Sequence, residues 1–129
     1  LNWSRIIKFS AFHFVALTLL STLTTLLIGA DNLDKQEGID LLLYFKLPSF
    51  FVGSIILTLF AKAQESNVLL HLSLTEVISS VVATFIVSLL MQTVYISPTW
   101  FIDLPLTVIS ILVAIFIAGK FRGITRNAT

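Results

Sequence analysis

The sequence predicts an all-α integral membrane protein: a four-helix bundle built as two helical hairpins, with both termini on the cytoplasmic side. Three observations predict it. Of 129 residues, 57% are hydrophobic and 12% charged, and the mean hydropathy is +0.99, leaving too little polar surface for a water-soluble domain. Apolar segments close to the roughly 20 residues needed to cross a bilayer recur four times. Basic residues are unevenly divided between the two ends of those segments. Together these define one transmembrane domain over 1–129, with helices near 5–30, 41–64, 72–96 and 100–121.

The first span rests on Phe9 to Ala30, 22 residues without a charge, preceded by Arg5 and Lys8. Basic residues ahead of an apolar run also begin signal peptides, but their apolar cores run about 7–15 residues, shorter than this one. Asp31 to Asp40 is the only strongly polar stretch. It reads as a solvated loop, with Asp40 placed to cap the next helix.

The second segment is uncharged only from Leu47 to Ala61, about 22 Å at 1.5 Å per residue and short for a bilayer core. Helix 2 must therefore begin near Leu41, which puts Lys46 inside it, directly before Leu47-Pro48. A short polar connection from Lys62 to His71 leads to Val77–Ser97, 21 uncharged residues behind Glu76. Ser97-Pro98 signals a turn, since the residue before proline is pushed out of the α region. Helix 4 reaches spanning length only by including Asp103, which again precedes Leu-Pro.

Arg5, Lys8, Lys62, Lys120, Arg122 and Arg126 fall on one side, against Lys35 and Lys46 on the other. That bias places both termini in the cytoplasm, and the expected location is a bacterial plasma (inner) membrane. Tyr44, Tyr95 and Trp100 then serve as interfacial aromatics at the outer boundary, with Trp3 at the inner one.

Strips of small residues recur at helical spacing: Ala11, Thr18, Ser21, Thr22, Thr25 and Gly29 on helix 1, Ser49/Gly53 on helix 2, Ser79/Ser80/Ala83/Thr84 on helix 3, and Ser110/Ala114/Ala118 on helix 4. Close helix packing is their simplest explanation, and a polar conduit is the alternative.

Ionisable groups within a membrane cost about 2.5–3.5 kcal/mol each on insertion scales, so Lys46 and Asp103 form the first candidate site, an outer-leaflet charge pair. The plainer account has Lys46 snorkelling to the headgroups and Asp103 capping a helix that starts at Leu104. Lys46-Leu47-Pro48 and Asp103-Leu104-Pro105 occupy matching positions in the two halves, as proline-interrupted segments do at some transporter binding sites. The second candidate is an inner-side, proton-linked group comprising His13, Glu76 and His71. Its plainer account has His13 bonded to a neighbouring helix and Glu76 solvated in the first turn of helix 3.

Other chemistries find no support. Zero cysteines exclude disulfide exchange, thiolate metal sites and a Cys nucleophile. Haem ligation by His13 and His71 is unfavourable because His71 falls in a loop or helix cap, and Asp31, Asp34, Glu37 and Asp40 miss the EF-hand spacing. No catalytic constellation, cofactor site or nucleic-acid-binding stripe is recognisable. Small multidrug exporters are similar in size but carry a membrane-embedded glutamate in helix 1, where this chain has His13 and hydroxyls.

Two functions remain in view. The first is a non-enzymatic protein acting through helix contacts, as a small subunit of a membrane complex or as a homo-oligomer, with the lipid bilayer and a membrane-protein partner or second copy as its contacts. The alternative is a small oligomeric transporter or channel for an ion, a proton-coupled solute or a hydrophobic compound.

Overall fold

Each apolar segment forms one helix in the computed structural model, which describes residues 1–35 and 37–127. The helices are α1 (Trp3–Ile28), α2 (Gly38–Ala63), α3 (Val68–Met91) and α4 (Trp100–Asn127). A 3₁₀ turn, Ala30–Lys35, follows α1, and no strand occurs among the described residues. All four helices are long and apolar enough to cross a membrane.

The helix limits differ from those read along the sequence, and the caps explain why. The α1 helix begins at Trp3, not at 5, because the Asn2 side chain accepts from the Arg5 N–H. It stops at Ile28 because Gly29 takes φ +88°, a conformation that favours glycine. The α2 helix starts at Gly38, after extended Glu37, so Asp40 lies in the first turn and not at the cap.

The largest difference is in α3, which spans Val68–Met91 instead of 72–96. Asn67 and Gln92 both adopt left-handed backbone conformations, at φ 51° and 53°. The Thr93 N–H reaches back to the Ser88 carbonyl at 3.2 Å, a six-to-one bond that closes the helix end. Hydrophobicity continues past Met91, but backbone geometry does not. The uncharged run therefore overestimates where the helix stops, and the polar connection before it hides where the helix starts.

Within α2, Leu42–Lys46 forms a single π turn, with the Leu47 N–H bonded to the Leu42 carbonyl five residues back. Pro48 follows at the second position of the regular helix. Proline has no N–H to offer and its ring crowds the carbonyl four residues before it, so a widened turn here relieves the conflict.

Successive helices run in opposite directions, making α1/α3 and α2/α4 parallel pairs. Those two pairs also pack most extensively, with α1 against α2 next. The hairpins are thus joined side by side through parallel contacts. Arg5 strengthens the α1–α2 join by donating to the Ala63 carbonyl at 2.6 Å, satisfying the C-terminus of α2.

Packing is concentrated in one half of the bundle. Among the described residues, every buried position belongs to 6–13, 53–64, 71–79 or 110–118, the half that carries the chain termini. Ile6, Leu57, Phe60, Ala61, Leu72, Ala114 and Ala118 form its core, and Phe9 stacks on Phe60 with ring centroids 4.3 Å apart. The outward faces carry large apolar side chains in helical register, such as Leu19/Leu23/Leu27, Phe51/Ile55/Leu59 and Val77/Val81/Phe85. Water would penalise such surfaces and lipid does not, as expected of membrane helices.

Candidate functional site

The half of the bundle bearing the 29–37 and 92–99 connections is hollow. All four helices surround a cavity of about 790 Å³, open to the exterior and lined by residues from His13, Gly53, Glu76 and Ser110 near mid-bundle to Leu41, Leu90 and Asp103 towards the connections. Nine of the lining residues carry hydroxyls: Thr18, Ser21, Thr22, Thr25, Ser49, Ser79, Ser80, Thr107 and Ser110. The small-residue strip of α1 therefore borders open space. Its Thr18, Ser21 and Thr22 are exposed, with no neighbouring helix covering them.

Elsewhere the small residues do bring helices together. Ser54 and Ser110 share a buried hydrogen bond of 2.6 Å, while Ala61, Ala114 and Ala118 are buried in the same half. The difference reflects helix separation: the same residue types pack where helices meet and face the cavity where they part.

His13 and Glu76 meet at the cavity base, their Nε2 and Oε1 atoms 3.2 Å apart. His13 lies ten residues into α1, about 15 Å along its axis at 1.5 Å per residue and five residues beyond Lys8. Because α3 begins at Val68, Glu76 occupies its third turn and is buried. The expectation that Glu76 is solvated in the first turn is corrected by the earlier helix start. His13 Nδ1 lies 3.1 Å from Ser79 Oγ, so both ring nitrogens have partners on α3.

Gly53 completes this contact from α2. A Cβ at that position would lie 3.1 Å from His13 Nε2, closer than ordinary van der Waals contact. Glycine here allows the imidazole to lie directly against the helix backbone.

His71 stands apart from this pair. Its Nε2 accepts from the Asn2 N–H at 3.1 Å, and its Nδ1 lies 2.8 Å from the Asn67 carbonyl. A carbonyl only accepts, so the proton belongs on Nδ1, and both ring positions are used in holding the chain's start and α3's first turn together. His71 is 1% exposed and meets Phe60 edge-on. The sequence grouped it with His13 and Glu76, but it forms part of the packed half and does not line the cavity.

Lys46 and Asp103 meet nearer the cavity opening. Lys46 Nζ donates to Asp103 Oδ1 at 2.5 Å and to Thr99 Oγ1 at 2.7 Å. Asp103 Oδ2 accepts from Thr99 Oγ1 at 2.9 Å and from Ser97 Oγ at 3.0 Å. The network joins the π turn of α2 to the first turn of α4. Asp103 lies within a helix that starts at Trp100, so it does not cap one beginning at Leu104. The side chains retain 20% and 36% exposure, intermediate between a surface pair and a buried one.

Sequence reasoning missed Ser97 and Thr99, although two hydroxyls just ahead of a helix with an acid in its first turn are a recognisable N-terminal pattern. Ser79 and Gly53 were visible only as members of packing strips. Their role at His13 depends on which helices adjoin.

No protein-family model, curated protein or solved structure matches this chain. The functional reading therefore rests on the site.

Proposed function

We propose that the chain is a small transporter whose cavity admits a solute and whose His13–Glu76 pair carries the coupled proton. The carrying observation is the placement of that pair at the base of an open, hydroxyl-lined cavity of about 790 Å³. Its size falls within the range of small-molecule sites, and its mixture of apolar wall and a few polar groups is typical of them. A bundle serving only to hold a partner has no need for a hollow half. The exposed apolar faces that would support a helix-contact subunit are equally well covered by lipid.

Both termini lie in the cytoplasm on this reading, following the basic-residue bias, so the cavity opens outward. The packed half around Phe9, Phe60 and Leu72 closes the inward path. Passage requires that half to part while the outer half closes. The π turn before Pro48 and the proline within α4 supply bending points at matching positions of the parallel pair α2/α4. Lys46 and Asp103 tie those points together and act as an outer latch.

Reconstitution into liposomes containing a pH-sensitive dye tests the proposal. For a transported solute, the wild type moves protons in response to that solute and Glu76→Gln does not. Absence of proton movement for every cation, anion and neutral solute in a broad panel, under either direction of pH gradient, refutes it.

A further inference from the structure

The charge inventory of the cavity identifies the class of solute. Among the described lining residues, only His13, Lys46, Glu76 and Asp103 are ionisable. Lys46 and Asp103 cancel one another through their direct contact. Along the helices, α1 has no other titratable residue between Lys8 and the 31–40 loop, α2 none between Lys46 and Lys62, α3 none from Val77 to Met91, and α4 none between Asp103 and Lys120. The base pair therefore decides the cavity's charge. With one exchangeable proton, as imidazolium and carboxylate or as imidazole and carboxylic acid, its net charge is zero. Without that proton it is −1.

An uncompensated charge on this buried pair is unfavourable, so departure of the proton favours entry of one positive charge. Resting on the transport reading above, we infer that the cavity binds a monovalent organic cation with an apolar body, exchanging it for the single proton of the His13–Glu76 pair. The exchange balances: one H⁺ leaves the site, one cation enters, no bond to carbon forms or breaks, and the site's net charge remains zero.

Further observations favour a cation over an anion. Glu76 lines the cavity, and its carboxylate meets His13 Nε2 through Oε1. The cavity's ammonium, on Lys46, is already engaged by Asp103 and Thr99. Phe14, Phe45 and Phe50 contribute aromatic rings to the wall, which suits an apolar cation through both burial and attraction to the ring faces. A small inorganic cation would instead need a close oxygen cage to replace its water, unlike this wide and mainly apolar space.

Calorimetry on the full chain in phosphatidylcholine nanodiscs tests the inference, with tetraphenylphosphonium as probe, empty nanodiscs as blank and the equally shaped anion tetraphenylborate as control. Titrations in two buffers of different ionisation enthalpy report proton release. The expected result is binding of tetraphenylphosphonium with about one proton released, no comparable binding of tetraphenylborate, and affinity reduced about 30-fold or more in Glu76→Gln. Circular dichroism establishes whether that variant retains its helices; the wild-type proton count and the anion control decide the matter even if it does not.

Binding without proton release, equal binding of tetraphenylborate, or undiminished binding by folded Glu76→Gln overturns the inference. Proton-coupled flux of a neutral or anionic solute by a protein that does not bind tetraphenylphosphonium also overturns it, while supporting transport. Cation binding with proton release but no flux of any solute has the opposite result: the site stands and transport fails.

Discussion

Replacing Gly53 with alanine tests the cavity base through a change of sign. The added Cβ would lie 3.1 Å from His13 Nε2 and 3.9 Å from Cδ2. The imidazole has little freedom to withdraw, because Ser79 and Glu76 hold its two nitrogens at 3.1 and 3.2 Å. Overpacking of this kind costs about 1–3 kcal/mol. The substitution also relieves the helix of a glycine, worth about 1 kcal/mol. Taking the middle of the first range, Gly53→Ala destabilises the wild type by about 1 kcal/mol.

In a His13→Ala background the clash disappears and only the helix gain remains. There the same substitution stabilises by up to about 1 kcal/mol, giving a coupling between the sites of about 2 kcal/mol. Reversible unfolding in mixed micelles, followed by circular dichroism, measures all four corners of the cycle. If Gly53→Ala has the same sign in both backgrounds, to within about 0.5 kcal/mol, then His13 is not held against α2 and the proposed base geometry fails.

The remaining expectations concern neighbouring parts of the bundle. In a Lys46→Met/Asp103→Asn double-mutant cycle on unfolding, the coupling should be about 2 kcal/mol, between the values for exposed and fully buried pairs; additivity would show that the latch does not form. Thr75 is fully buried and its Oγ1 lacks a partner among the described residues, so Thr75→Val should raise stability by about 1 kcal/mol in the same unfolding assay. His71→Ala should lower stability by about 2–4 kcal/mol through lost packing and lost bonds to Asn2 and Asn67, while substrate-driven proton flux per folded molecule is unchanged. A selective loss of flux would assign His71 to the working site.

Much of the fold was legible because a bilayer constrains a chain in one dimension. Length without charge identifies the spans of α1 and α3 even though their ends shift. The shortness of the Leu47–Ala61 run correctly brings Lys46 inside α2, and the same reasoning brings Asp103 inside α4. Left-handed residues such as Gln92 leave a weak trace, because glutamine has no strong preference for such a conformation. That is why α3 was displaced, and with it the environment assigned to Glu76.

The candidate residues were legible as expensive groups, but their partners were not. Lys46 and Asp103 stand out because each is costly in a membrane. His71 and His13 are the same residue type in the same half of the bundle, yet one fastens Asn2 to α3 and the other faces a cavity. Only the helix faces distinguish them.

By itself, then, the sequence determined the number of helices, their alternating directions and the cost that makes Lys46 and Asp103 conspicuous. These follow from summed hydrophobicity and a fixed rise per residue, neither of which requires knowledge of neighbours. Tertiary structure decided that one half of the bundle closes around Phe60 while the other opens to the exterior. It also decided that His13 meets Glu76 across a glycine and that hydroxyls at packing spacing face a cavity. The reason is geometric: a small residue permits close approach without enforcing it, and helix separation depends on the bulky side chains of all four helices together.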